Sequence, residues 1–270
     1  MCYKYSIKKS FVKLNLFFGE ILFWVYNCLV RLVFLAFLLC SCAATWRPAD
    51  DFAPVTVHAG KFDIVTYQKN TDTRAPVHIY IEGDGHAFDA YGAPTGDPTP
   101  RDTMVRDLAM RDLGPNVVYM ARPCQYIMSE KCDEKYWTDG RFAPAVINAM
   151  SMAVTQVASG RPIVLIGYSG GAMVTGLIIK RNPALPIKKW ITIAGVLNHA
   201  DWTAYFGDTP LRQSLNLKRL PDVRALHYVG ADDDVVPNAL SQKWIGDNDK
   251  IIIVPNADHD DFADLDIDFE

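Results

Sequence analysis

One pentapeptide has the residue types of a serine nucleophile: Gly167-Tyr168-Ser169-Gly170-Gly171. It follows the apolar run 162–166, which has the composition of a buried strand, and it opens a helix-like stretch. A serine hydroxyl is reactive when a tight turn raises it above the sheet, and small neighbours allow such a turn. The first amides of the following helix favour negative charge. The pattern predicts a nucleophile at Ser169, with a tight turn that has no chemical role as the alternative.

A nucleophilic serine needs a base to accept its proton and an acid to orient that base. Downstream, the strand-like run 224–229 is followed by three consecutive acids, Asp232, Asp233 and Asp234. The last strand-like run, 250–254, is followed by His259. Five other histidines are present. Three lie in predicted strands, namely His58, His78 and His227, and two lie in loops, namely His86 and His199.

Serine, acid and histidine, in this order and each just past a predicted strand, resemble the triad of the α/β-hydrolase family. The resemblance covers roughly residues 55–265. Residues 230–237 are similar to a family pattern, G-x-x-D-x-x-V-P, which implies Asp233 as the acid. The order implies His259 as the base, because this histidine alone follows the last strand after the acid. The resemblance further implies ester hydrolysis through an acyl-enzyme on Ser169, without a metal or an organic cofactor.

The family also stabilises the developing oxyanion with two backbone amides. The resemblance implies that Gly170, directly after the nucleophile, supplies one of them. The second amide comes from the loop after the third strand, here 82–86, where Glu82 stands at a position that is histidine in many relatives. The donor is therefore Asp84 or Gly85, and we favour Asp84. We expect four further side chains to contact substrate: His86, Tyr168, His199 and Trp202.

The elements that must position these residues alternate between strands and helices. We predict an opening hairpin (55–58 and 62–68), strands at 77–81, 116–121, 162–167, 190–194, 224–229 and 250–254, and helices at 103–112, 142–158, 170–181 and 238–245. Short apolar strands between helices indicate an α/β fold with a mostly parallel sheet that is covered on both faces. Residues 196–223 leave room for a small cap only. The alternating acids of the tail, 264–270, are expected to be solvated.

Residues 1–41 differ from the remainder in charge and hydropathy. They carry a net charge of +4, which leaves −8 on the other residues of a chain with −4 in total. The apolar run 32–39 follows Arg31 and has the length of a signal-peptide core, too short to span a bilayer. The run 39–43, Leu-Cys-Ser-Cys-Ala, resembles a bacterial lipoprotein box, which implies acylation of Cys42. One uncleaved anchor helix over roughly 14–40 is the alternative.

Either interpretation attaches the protein to a membrane of the bacterial cell envelope, on the periplasmic side. Residues 42–54 then form a tether, and 55–270 form the hydrolase domain. The loop 82–86 and the runs 121–126 and 136–138 resemble those of secreted or lipoprotein-type proteobacterial α/β-hydrolases. Outside the front end only Cys124 and Cys132 remain, and an oxidising compartment favours a disulfide between them over two free thiols.

Length, composition and net charge indicate a single domain and disfavour some classes of function. The 270 residues, half of them hydrophobic, suffice for one full-sized domain, and a net charge of −4 disfavours binding to nucleic acid. We therefore expect a small-molecule ester and the membrane as partners, and the small cap favours a modest acyl or aromatic ester. Two alternatives stay open, namely an acyltransferase that uses the same triad and a non-catalytic, membrane-tethered binding module.

Overall fold

The computed structural model describes residues 46–246 and 249–269. The leader 1–41, the lipidation candidate Cys42 and the first residues of the tether lie outside the described residues. The strands of the described part are β1 (Ala53–Ala59), β2 (Phe62–Asn70), β3 (Val77–Ile81), β4 (Asn116–Met120), β5 (Ile163–Tyr168), β6 (Ile187–Ile193), β7 (Ala225–Gly230) and β8 (Lys250–Val254). The α-helices are α1 (Met104–Arg111), α2 (Pro144–Ala158), α3 (Gly170–Arg181), α4 (His199–Phe206) and α5 (Asn238–Trp244).

The eight strands form one sheet in the order β1-β2-β4-β3-β5-β6-β7-β8. Strands β3 to β8 are mutually parallel, and the predicted opening hairpin adds β1 and β2 antiparallel at one edge. Every residue of β4, β5 and β7 is buried, as expected for strands that are covered on both faces. The predicted α/β fold with a mostly parallel sheet is confirmed.

The two faces of the sheet carry separate apolar clusters. Helices α2 and α3 pack on one face, where Met150 and Leu177 join Leu165 of β5. Helix α1 packs on the other face, where Leu108 joins Ile166 of the same strand. Because neighbouring residues of β5 serve opposite clusters, the loop that follows this strand is held from both sides.

The tail leaves Asp264 and Asp266 exposed, as expected, but its apolar residues pack against the domain. Phe262 is buried, and the ring of Phe269 stacks on His78 with 4.3 Å between centroids. The backbone N–H of Asp268 donates to the Tyr228 hydroxyl over 2.8 Å. Apolar residues alternate with the acids at 262, 265, 267 and 269, so one side of the segment has an apolar surface to bury.

The small cap between β6 and β7 contains α4. The side chain of Asn198 caps this helix by accepting the backbone N–H of Asp201 over 2.9 Å, and Gly207 ends it in a left-handed conformation, with φ of 72°. Trp202 anchors the helix through a 2.7 Å hydrogen bond from its Nε1 to the carbonyl oxygen of Val235. The cap therefore lies next to the loop that carries the predicted acid.

Two further observations concern the predicted envelope location. The disulfide between Cys124 and Cys132 is confirmed, with 5.7 Å between the Cα atoms. None of the helices among residues 46–246 and 249–269 has both the length and the apolar composition needed to cross a bilayer.

Candidate active site

The predicted nucleophile occupies a strained turn between β5 and α3. Ser169 has φ of 50° and ψ of −121°, a backbone conformation that non-glycine residues rarely adopt. Its N–H donates to the carbonyl oxygen of Ile193 over 2.9 Å, and its own carbonyl accepts from Val196 over 3.1 Å. Hydrogen bonds to β6 and to the segment after it therefore hold the turn in place.

The glycines around Ser169 are required by space. A Cβ atom at Gly167 would lie 2.5 Å from the carbonyl oxygen of Gly171. A Cβ at Gly171 would lie 2.5 Å from the carbonyl oxygen of Ile81 in β3. Strand, turn and helix thus approach each other so closely that a side chain at either position would push them apart.

The structure brings the three proposed triad residues together in one chain of hydrogen bonds. His259 Nε2 lies 3.0 Å from the Oγ of Ser169. On the other side of the ring, Nδ1 lies 3.0 Å from Oδ2 and 3.2 Å from Oδ1 of Asp233. The three residues come from the loops after β5, β7 and β8, which all end at the same edge of the sheet.

The structure also separates Asp233 from the acids beside it. Its side chain is fully buried, and Oδ1 accepts the backbone N–H groups of Val235 (3.0 Å) and Val236 (2.7 Å). Asp232 and Asp234 are exposed. Because two backbone N–H groups hold Oδ1, the carboxylate of Asp233 faces the imidazole in a defined orientation, with Oδ2 as the nearer oxygen.

The other histidines of the strands have partners of their own. His58 is exposed and pairs with Asp63, whereas His78 bonds to Asp112 over 2.7 Å. His227 is buried in β7 beside the Thr192 hydroxyl, and burial lowers its pKa to about 4. A neutral histidine inside the sheet serves the packing.

Two backbone amides near the proposed nucleophile have no hydrogen-bond partner in the described part of the chain. Gly170 and Asp84, the two predicted donors, have no acceptor for their N–H groups among the described residues. The Asp84 carboxylate lies directly against Gly170, since a Cβ at Gly170 would come within 2.2 Å of Oδ1. The loop after β3 and the start of α3 therefore meet beside Ser169.

Two buried arginines hold this loop through Asp84. Arg122 contacts Oδ1, and Nη1 of Arg141 donates to Oδ2 over 2.6 Å. Arg122 also donates from Nη2 to the carbonyl oxygen of Arg141 over 2.7 Å. Burial raises the pKa of Asp84, but the positive charges of Arg141 and Arg122 outweigh that effect, and the net pKa is lowered. The sequence interpretation assigned no role to either arginine.

The first residue of this loop, Glu82, has an unusual carboxyl group. Glu82 Oε1 accepts the N–H of Gly83 over 3.0 Å, and Oε2 accepts the Tyr119 hydroxyl over 2.9 Å. Burial raises the pKa of Glu82 to about 7, and the two hydrogen bonds only partly offset this. Gln125, next to the disulfide, donates to the carbonyl oxygen of Gly83 over 3.0 Å and fixes the loop from outside.

Ser169 and His259 face a cavity of about 330 Å³. Three of the four side chains that the sequence assigned to substrate contact, Tyr168, His199 and Trp202, line it. His86 does not, because its backbone is bonded to Pro98 and Thr95 in a turn whose neighbour Phe88 lines the cavity instead. The sequence interpretation missed Phe88 and Arg141 as lining residues.

Two of the lining residues also serve the architecture of the site. The Tyr168 hydroxyl donates to Asp260 (2.6 Å) and lies 3.2 Å from the carbonyl oxygen of His259, so it holds the loop of the proposed base. His199 donates from Nε2 to the carbonyl oxygen of Leu215 over 3.1 Å and stacks on Phe142. Burial lowers the pKa of His199. Within the described residues, no three His, Cys, Asp or Glu side chains are placed to hold a metal ion.

Comparison with known proteins gives a fold and leaves the activity open. No protein-family model and no curated sequence matches the chain. Among solved structures, a membrane phospholipase A described as a bacterial virulence factor has 14% identity and a TM-score of 0.56, and the alignment covers 93% of this chain and 94% of that chain. Est1E from Butyrivibrio proteoclasticus has 14% identity and a TM-score of 0.55, with 78% and 93% covered.

A third similar structure is a serine hydrolase from Cycloclasticus zankles, with 11% identity, a TM-score of 0.55 and coverage of 78% of this chain and 93% of that chain. With the strand order described above, these similarities show that the chain has the α/β-hydrolase fold. The narrower resemblance to lipoprotein-type members stays a prediction.

Proposed function

We propose that the protein is a serine hydrolase that cleaves carboxylic esters through an acyl-enzyme on Ser169. The observation that carries this proposal is the unbroken hydrogen-bond chain from Asp233 through His259 to a serine on a strained turn. The solved structures of similar fold include a serine hydrolase and a phospholipase A, which supports the proposal at the level of reaction class.

The reaction follows from the positions of these atoms. As the Oγ of Ser169 attacks the ester carbonyl, its proton passes to Nε2 of His259, and Asp233 stabilises the resulting imidazolium. The carbonyl oxygen becomes an oxyanion beside the N–H groups of Gly170 and Asp84. His259 then returns the proton to the leaving alcohol. A water molecule, deprotonated by the same imidazole, attacks the acyl-enzyme and releases the acid, and Oγ regains its proton.

The size of the cavity supports a modest acyl or aromatic ester as substrate. At about 330 Å³ it is near the lower end of the range for small-molecule sites, and the cap adds one short helix.

We also propose attachment to the cell envelope through Cys42. The Cys124–Cys132 disulfide supports an oxidising compartment, and the lipoprotein-box resemblance of residues 39–43 supports the lipid anchor.

Steady-state hydrolysis of para-nitrophenyl esters tests the proposal. We expect turnover of the acetate and butyrate esters to exceed that of the palmitate, and we expect Ser169→Ala to abolish turnover of all three. Ser151→Ala, in the middle of α2, is the matched control and should leave the rates unchanged. Equal turnover by Ser169→Ala and the wild type would refute a role for Ser169.

For the anchor, Cys42→Ser should abolish incorporation of labelled fatty acid in a bacterial host, and retained label would refute acylation at this residue.

A further inference from the structure

Arg141 has a feature that its contact with Asp84 does not use. Its side chain is only 7% exposed, and two of its nitrogens are paired, Nε with the carbonyl oxygen of Thr138 (2.7 Å) and Nη1 with Asp84. The third nitrogen, Nη2, has no acceptor among the described residues, and it keeps a small solvent-accessible surface although most of the side chain is buried. A buried guanidinium thus keeps one free N–H edge.

This free edge belongs to a residue at the junction of two cavities. Arg141 lines the cavity of Ser169, and it also lines a neighbouring cavity of about 720 Å³. Three other residues are shared between the two cavities, and all are apolar or aromatic: Phe88, Trp202 and Leu211. Arg141 is therefore the one charged side chain common to both linings in the described part of the chain. The ring of Phe88 lies 5.1 Å from its Cζ atom and covers the guanidinium.

Charge is unevenly distributed along the proposed active site. Three carboxyl groups, Glu82, Asp102 and Asp260, line the cavity of Ser169 and do not line the neighbouring cavity. At the shared side, Arg141 and Arg122 face a single carboxylate, Asp84, so this cluster has an excess of one positive charge. The neighbouring cavity adds Arg212 together with Asp139 and Asp208, and its other walls include threonines. An ester that spans both cavities thus meets these carboxyl groups only in the cavity of Ser169 and meets the guanidinium of Arg141 where the two cavities share their lining.

We propose that Arg141 is a specificity residue that binds a carboxylate or phosphate on the portion of the ester that extends into the neighbouring cavity. The inference rests on the proposed function and names its substrate class. A planar N–H donor with a fixed charge suits such an oxyanion, because the hydrogen bond is charge-assisted and the surroundings exclude most water. Asp102 and Asp260, which line only the cavity of Ser169, disfavour an anion beside them, and this gives the bound ester one orientation.

Matched acid and amide esters test this assignment. One pair carries the charge on the leaving alcohol, para-acetoxybenzoate against para-acetoxybenzamide. The other pair carries it on the acyl group, para-nitrophenyl para-carboxybenzoate against para-nitrophenyl para-carbamoylbenzoate. The wild type should show a kcat/KM for the acid that exceeds that for the amide by about tenfold to a hundredfold in one of the pairs, as expected for one charge-assisted hydrogen bond. The pair that shows the preference identifies which half of the ester enters the neighbouring cavity.

Arg122 provides the matched control, because it contacts the same carboxylate and does not line either cavity. Arg141→Gln should abolish the preference for the acid, mainly through a higher KM, and Arg141→Lys should restore part of it. Arg122→Gln should lower the rates on acid and amide by similar factors and keep the preference. A loss of preference in both glutamine variants to the same extent would show that Arg141 only positions Asp84.

Two outcomes separate this inference from the function on which it rests. Hydrolysis that depends on Ser169 but shows no acid preference in either pair would overturn the role of Arg141 and leave the serine hydrolase intact. Absence of Ser169-dependent turnover on all four esters, by folded protein, would overturn both.

Discussion

Replacement of Asp84 by asparagine should destabilise the protein, because it removes the one carboxylate that two buried guanidiniums share. The side chains of Arg122 and Arg141 are 4% and 7% exposed, so little water can take the place of Asp84. Loss of one partner from a buried ion pair costs about 3–5 kcal/mol, and we take about 3 kcal/mol because a quarter of the Asp84 side chain is exposed. For a domain of this size that corresponds to a fall in Tm of about 6–12 °C.

Thermal unfolding followed by circular dichroism measures this fall. The control is Asp264→Asn, which breaks the 2.8 Å ion pair of a fully exposed carboxylate with Arg111 and should leave Tm unchanged. The pH dependence is a second test. Because the pKa of folded Asp84 lies below its ordinary value of 3.8, its stabilisation is complete above that pH and is lost as pH falls further. Equal Tm values for the wild type and Asp84→Asn at pH 7 would refute the reasoning.

Three further changes test other parts of the account. Asp233→Asn should lower kcat by about four orders of magnitude, since an asparagine cannot hold the imidazole in the required tautomer; Asp234→Asn, on the exposed neighbour, should have no effect, and equal effects would contradict the assignment. Glu82→Gln should flatten the pH profile of Tm. The pKa of Glu82 is raised to about 7, so the folded protein keeps a proton that the unfolded protein loses above pH 4.5, and wild-type stability should fall between pH 4.5 and 7. A wild-type profile as flat as that of the variant would show that Glu82 is ionised throughout this range. The double variant Cys124→Ala, Cys132→Ala should lower the free energy of unfolding by about 2–3 kcal/mol in urea titrations, because the disulfide no longer restricts the unfolded chain. An unchanged midpoint would mean that other contacts already restrain this loop.

The strands and the three proposed triad positions could be predicted from the sequence because their signals are local. The apolar run before Ser169 and the glycines around it fix a strand, a turn and a helix within residues 163–181, and α3 begins and ends where predicted. The acids and His259 could be placed because the carboxyl ends of parallel strands meet at one edge of the sheet. Among Asp232, Asp233 and Asp234, the family resemblance made the choice, and burial in the structure separates them physically.

The residues that the sequence did not reveal depend on contacts between distant segments. Asp84 is 38 residues from Arg122 and 57 from Arg141 along the chain, and nothing near any of them signals an ion pair. His86 was expected in the cavity because it lies in the same loop as Asp84, but the turn after Gly85 directs Phe88 there instead. The packing of the tail could have been predicted from the alternation of apolar residues with acids from Phe262 to Phe269, but the prediction considered only the acids.

Labelling with a fluorophosphonate probe tests the central claim most directly, because the probe phosphonylates only a serine that an adjacent base activates. Intact-mass spectrometry of the wild type should show one adduct, peptide mapping should place it on Ser169, and Ser169→Ala should remain unmodified. His259→Ala should react far more slowly although it keeps the hydroxyl. Folded wild-type protein that stays unlabelled, or label on Ser169→Ala equal to that of the wild type, would contradict the account.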